Sequence, residues 1–141
     1  MKVFEWSADM NTGISSIDIH HRRIIEQLNQ VIAACVHGGG EDAIRSGIAG
    51  MASSLNDHFA EEEALMSSVG YPKLNEHRRL HTAFVARLSD LEDSVRNHDN
   101  KATMSSLDLL SDYGRTHILE DDKDFVRFCR DAGHSEILRA A

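Results

Sequence analysis

The stretch Leu55–Phe84, LNDHFAEEEALMSSVGYPKLNEHRRLHTAF, decides how this chain folds. His58 and Glu62 stand four apart in it, and His77 and His81 stand four apart further on. Positions i and i+4 of an α-helix project from one face, about one turn apart. One helix therefore offers a His/Glu pair and the next a His/His pair. Between them lies Gly70-Tyr71-Pro72, with the only proline of the chain, and Gly-x-Pro punctuates a turn. The spacing predicts an antiparallel hairpin with both pairs facing one interior. Leu55, Phe59, Leu65, Met66 and Val69 set the first pair within or beside an apolar stripe, and Leu80, Phe84 and Leu88 do so for the second. A single helical histidine is ordinarily a surface residue or a hydrogen-bonded core residue. Two pairs on buried faces are different, because unpaired polar groups there are costly and a metal ion satisfies several at once.

Outward from this hairpin the helical pattern continues both ways. A helix over 17–37 carries Ile17, Ile24, Ile25, Leu28, Ile32 and Cys35, with His21 in register between Ile17 and Ile24. His20 points about a quarter turn away. Gly38-Gly39-Gly40 ends this helix. The second helix is predicted over 42–69, through Ile44, Ile48, Met51 and Leu55. Gly47 and Gly50 weaken it by about 1 kcal/mol each relative to alanine. Of its three consecutive glutamates only Glu62 shares a face with His58; Glu61 and Glu63 flank it, as solvated groups or as supports for the ligands. The third helix is predicted over 74–96, followed by a turn at Asn97-His98-Asp99-Asn100. The fourth, over 102–129, carries Met104, Leu107, Leu110, Tyr113, His117, Phe125 and Phe128. Residues 1–16 read as a non-helical arm whose apolar content is Phe4 and Trp6, with Trp6 packing it onto the bundle; Ser15 or Ser16 would cap the first helix, and Asp18 in its first turn suits the dipole equally well. The fold class is all-α: one domain over 1–141, an up-down-up-down antiparallel four-helix bundle with an N-terminal arm.

Bulk properties narrow the partners. A formal net charge of -8 argues against nucleic acid and anionic membrane surfaces. No apolar run approaches membrane-spanning length and the first residues lack a signal-peptide core, so a cytoplasmic monomer is expected. Cys35 and Cys129 lie far apart in sequence and read as reduced thiols. Nine histidines in 141 residues are left to explain. His37, His98 and His134 fall at helix ends or in turns and read as solvent-exposed.

Every helix supplies inward polar groups: His21 from the first, His58 and Glu62 from the second, His77 and His81 from the third, and His117 with Asp121 or Asp122 from the fourth. Five imidazoles and two carboxylates exceed the needs of one tetrahedral zinc. They suit two six-coordinate ions bridged by carboxylates, and imidazole-rich sets suit iron, copper or zinc.

With Trp6, GISSIDIHH (Gly13–His21), HFAEEEALM (His58–Met66), GYPKLNEHRRLHTAF (Gly70–Phe84) and HILEDDKDF (His117–Phe125), the chain resembles the single-domain bacterial hemerythrins over about residues 4–128. The up-down-up-down topology is that of myohemerythrin. The resemblance implies two iron ions with a bridging oxide or hydroxide. His77, His81 and His117 would hold one iron. His21 and His58 would hold the other and leave it an open position, and Glu62 and Asp122 would bridge the two. It implies reversible binding of dioxygen for carriage, storage or delivery, with small anions such as azide as further ligands, and binding rather than catalysis. The alternatives are a sensor acting through a separate partner and a di-iron oxidase or peroxidase. Ferritin-like oxidases use Glu-x-x-His from two helices, and no Glu-x-x-His occurs in this sequence.

Two departures and one geometric problem accompany the resemblance. Family members usually have Gln before the first ligand histidine, where this chain has His20. Asp122 is five residues beyond His117, about 140° around an ideal helix, so Asp121 fits a regular helix better. The family register selects Asp122, which requires a π-type widening or a carboxylate arriving from the side. Third, the family pattern aromatic-Leu-x-x-His-Ile reads Tyr113-Gly114-Arg115-Thr116-His117-Ile118 here. Gly114 lies on the face of His117, and its missing side chain is either a close contact, filled by Trp6 for example, or a gap leading to the open iron.

Overall fold

The two pairs of the central stretch sit on helices that turn back on each other at Gly70. In the computed structural model, which describes residues 6–38 and 40–134, α2 spans Glu41–Ser68 and α3 spans Leu74–Arg96. Gly70 takes a left-handed φ of 67°, which lets Tyr71 N–H donate to the Met66 carbonyl at 3.0 Å and closes the end of α2. Upstream, α1 spans Ser15–His37, and downstream, α4 spans Asn100–Thr116. A π-helical turn, His117–Asp121, then leads into α5, Asp122–Asp131. The predicted fourth helix is thus two α-helices with a widened turn between them. No strand occurs among the described residues. Phe4 and Gly39 lie outside the described residues.

Before α1, the chain makes one 3-10 turn, Ala8–Met10. Helix α1 begins two residues earlier than the spacing predicts, with Ile14 at its N-cap and no side-chain cap bond. Asp18 acts instead as a clamp on the preceding loop. Its carboxylate accepts from Thr12 N–H and the Thr12 hydroxyl, both at 2.8 Å. The charge also lies in the first turn, where it suits the helix dipole. Trp6 packs with Met10 and Ile25, and Arg22 lies 4.8 Å over its ring.

Consecutive long helices pack against one another. At the α1–α2 contact a β-carbon added to Gly47 would meet Val31 Cγ2 at 3.0 Å, so this glycine permits a close approach of the two helices. Buried apolar side chains form two main clusters. One gathers Leu28, Ile32, Met51, Leu55, Leu88, Leu91, Leu107 and Leu110, among others, from α1 to α4. The other gathers Ile14, Ile17, Met66, Tyr71, Phe125 and Cys129. Along every helix the inward polar residues fall between these clusters. His21 lies between Ile17 and Ile24, His58 and Glu62 between Leu55 and Met66, and His117 and Asp122 between Leu110 and Phe125. The molecule therefore holds a polar layer between two apolar ones. Cys35 and Cys129 form no disulfide.

Candidate metal centre

All seven side chains singled out from the sequence converge in that layer. His21, His58, His77, His81, Glu62 and Asp122 are at most 4% exposed and His117 is 9% exposed. Their donor atoms form two groups: Glu62 with His77, His81 and His117, and His21 and His58 with Glu62 and Asp122. Each carboxylate divides its oxygens between the two. Glu62 Oε1 lies 2.5 Å from His77 Nε2, 3.3 Å from His81 Nε2 and 3.5 Å from His117 Nε2. Glu62 Oε2 lies 3.0 Å from His58 Nε2. Asp122 Oδ1 lies 3.0 Å from His77 Nε2 and 3.2 Å from His117 Nε2, and its Oδ2 lies 2.7 Å from His21 Nε2.

These separations test whether the group could hold metal. Ligands at about 2.1 Å from one six-coordinate ion stand about 3 Å apart when adjacent, which is the spacing found. The orientations agree. His21 Nε2, His58 Nε2, Glu62 Oε2 and Asp122 Oδ2 are buried and close in pairs, yet none of them makes a hydrogen bond among the described residues. These donor atoms lie within 4.8 Å of one another without bonding to each other. Buried polar atoms left this way are costly unless a cation satisfies them, so the donor set fits bound metal.

Without metal, the same crowding governs protonation. Burial by itself would raise the Glu62 carboxyl, but the four histidines crowded around it, His117, His58, His77 and His81, hold it well below the usual range. Burial disfavours a charged His77, yet its bonds to Asp122 and Glu62 push it up to about 9. His117 is likewise raised despite burial, by Asp122, Asp121 and Glu62.

The helix geometry explains which neighbours enter. The π-helical turn at His117–Asp121 adds one residue per turn and rotates Asp122 onto the face of His117. This is the widening that the five-residue spacing demands. Asp121 stays at the edge, 27% exposed, with its Oδ2 3.6 Å from His117 Nδ1. His20 belongs to neither donor group: it lies 3.5 Å from Glu61, with its ring edge-on to His58 at 5.5 Å. Gly114 lines a small apolar pocket of about 30 Å³ with His21, His58, Ile24, Phe59 and Phe84. Trp6 does not line it, so the gap that this glycine leaves is not filled by the arm.

A family model, the hemerythrin HHE cation-binding domain, matches residues 12–129. The chain belongs to the hemerythrin family. A bacteriohemerythrin of Pseudomonas aeruginosa is 35% identical over 122 residues, covering 86% of this chain and 78% of that one. One of Stenotrophomonas maltophilia is 36% identical, covering 89% of this chain and 81% of that one. The myohemerythrin of Riftia pachyptila is 26% identical over 62% of this chain and 68% of its own.

Around this hemerythrin layer the structure adds side chains whose roles the spacing left open. Glu63 Oε2 lies 3.0 Å from His81 Nδ1, and its other oxygen accepts from Arg78 at 3.1 Å. A carboxylate on Nδ1 holds the proton there and leaves Nε2 as the inward lone pair. Phe59 stacks on the His81 ring, 3.8 Å between centroids and 8° between planes. The i, i+4 and i, i+3 patterns mark Phe59 as core, but only the packing of α2 on α3 shows that its partner is a histidine ring. No helix among the described residues is long and apolar enough to cross a membrane.

Proposed function

We propose that this chain binds dioxygen reversibly at a non-haem di-iron centre and serves as a carrier or store. His77, His81 and His117 would hold one iron, His21 and His58 the other, with Glu62 and Asp122 shared. Two ferrous ions held there would supply the two electrons that reversible dioxygen binding requires. The observation that carries the reading is the division of the Glu62 and Asp122 oxygens between a three-histidine side and a two-histidine side. The two-histidine side has one histidine fewer, so an iron held there would keep a position for dioxygen.

The protein's own residues do the rest. His21 and His58 present buried nitrogens beside an apolar pocket, so a small neutral molecule reaches that side without bringing water. The apolar clusters on either side keep bulk solvent away from the layer, which disfavours separation of charge there. Glu63 and the stacked Phe59 fix the His81 ring, so that side is positioned before any ligand arrives. A layer built from histidines of fixed orientation suits binding without consumption of a substrate.

The test is a cycle. The reduced protein should gain a visible absorption band on exposure to oxygen and lose it under argon, through repeated rounds. A band that persists under argon, or oxidation with each exposure, would contradict carriage and point to an oxidase.

A further inference from the structure

The inner pocket beside His21 and His58 holds about 30 Å³, room for a water-sized or diatomic molecule. Apart from Gly114 its lining residues are buried. On the surface between α3 and α4 lies a second, larger space of about 290 Å³, framed by Leu80, Leu109, Asp112 and Tyr113. The two spaces share three lining residues: Phe59, Phe84 and His117. These side chains are therefore the wall between an open groove and a dry cavity.

The three are not equally fixed. His117 is held in the polar layer by both shared carboxylates. Phe59 is stacked on His81. Phe84 meets Phe59 edge-on at 6.1 Å and Tyr113 edge-on at 6.5 Å, with no stacked partner among the described residues. Of the three, Phe84 alone has no ring contact with a histidine of the layer among the described residues. The groove also has a sign: Asp112 and Asp121 line it, and no lysine or arginine does among the described residues. A neutral molecule crosses such a mouth freely, whereas an anion is repelled at low ionic strength.

We propose that the groove between α3 and α4 is the entry path for a neutral apolar molecule of diatomic size, that Phe84 controls passage into the inner pocket, and that the acidic mouth disfavours anions. The pocket's use for dioxygen rests on the function proposed above; the path itself does not depend on metal.

Xenon exchange, followed by 129Xe NMR on the whole chain, reads the path without reference to iron. Phe84→Leu should speed exchange and Phe84→Trp should slow it, each by about tenfold, within the one to three decades that association rates span among variants of one site. Stopped-flow association of dioxygen with the reduced iron-loaded protein should follow the same order. Azide association with the oxidised protein should rise about threefold in Asp112→Asn at low salt and lose that gain at high salt, with dioxygen association unchanged. Xenon exchange that ignores both Phe84 variants, or slows only in Gly114→Ala, overturns the path and places the entrance at Gly114. Absence of any bound xenon overturns it also. An azide rate unchanged in Asp112→Asn removes the electrostatic part. If xenon exchange tracks Phe84 while the iron-loaded protein takes up no dioxygen, the path stands and the oxygen-binding function falls.

Discussion

The two sides of the polar layer are built differently. On the three-histidine side, Glu63 backs His81 Nδ1 at 3.0 Å, while Asp121 Oδ2 stands 3.6 Å from His117 Nδ1 without a hydrogen bond. On the two-histidine side, His21 Nδ1 and His58 Nδ1 make no hydrogen bond among the described residues, and an apolar pocket adjoins the rings. Backing by a carboxylate strengthens a histidine as a donor and fixes its tautomer. On the function proposed above, the first side would hold its ion more firmly, through the backed His81. The second has one histidine fewer and an apolar space beside it, and would be the side of exchange.

The largest effect is expected where the two sides join. Glu62 reaches histidines of both and is fully buried. Glu62→Ala should remove most iron from both sides and destabilise the bundle by about 3 kcal/mol or more, since histidines of both sides lose their partner. Iron content and a thermal melt check this, and retention of one iron at full occupancy would show that the sides are independent. His77→Ala and His81→Ala should each lower iron content and change the visible spectrum, because each removes a donor from the firmly held side.

Next comes the asymmetry itself. Glu63→Ala should weaken metal retention about 10-fold or more against a chelator, in the range seen for such outer partners. If the sides are as different as their geometry, the loss should fall on one iron of the two, visible as a biphasic release. Equal release of both would mean that the backing carboxylate does not distinguish them.

A smaller effect separates the metal-free and loaded chains by pH. In the metal-free chain His77 is raised from 6.5 to about 9 by its carboxylate partners, against burial. Its stabilising contribution is therefore complete below pH 6.5 and is lost as pH rises through about 9. Loaded histidines must be neutral, so metal favours the opposite direction. Melting temperature should fall between pH 6.5 and 9 without metal and hold or rise with it. Parallel curves would contradict the coupling of Glu62 and Asp122 to His77.

Much of this comparison was legible in the sequence, for a physical reason. Helical periodicity fixes which residues share a face, so His58 with Glu62 and His77 with His81 could be paired before any helix was placed. The same rule exposed the misfit of His117 and Asp122, and the π-helical turn resolves it. What periodicity cannot show is contact between helices. That Glu63 backs His81, that Gly47 lets α2 approach Val31, and that Phe84 stands between two spaces each depends on distance across a packing interface. The Asp18 clamp on Thr12 is likewise a loop contact with no periodic signature.

The most direct measurement is anomalous diffraction at the iron edge from crystals of the iron-loaded protein. Two peaks are expected, one among His77, His81 and His117 and one beside His21 and His58, with Glu62 and Asp122 reaching both. A single peak, or a second peak bound by His20 or Asp121 in place of His21 or Asp122, would contradict the two-sided centre.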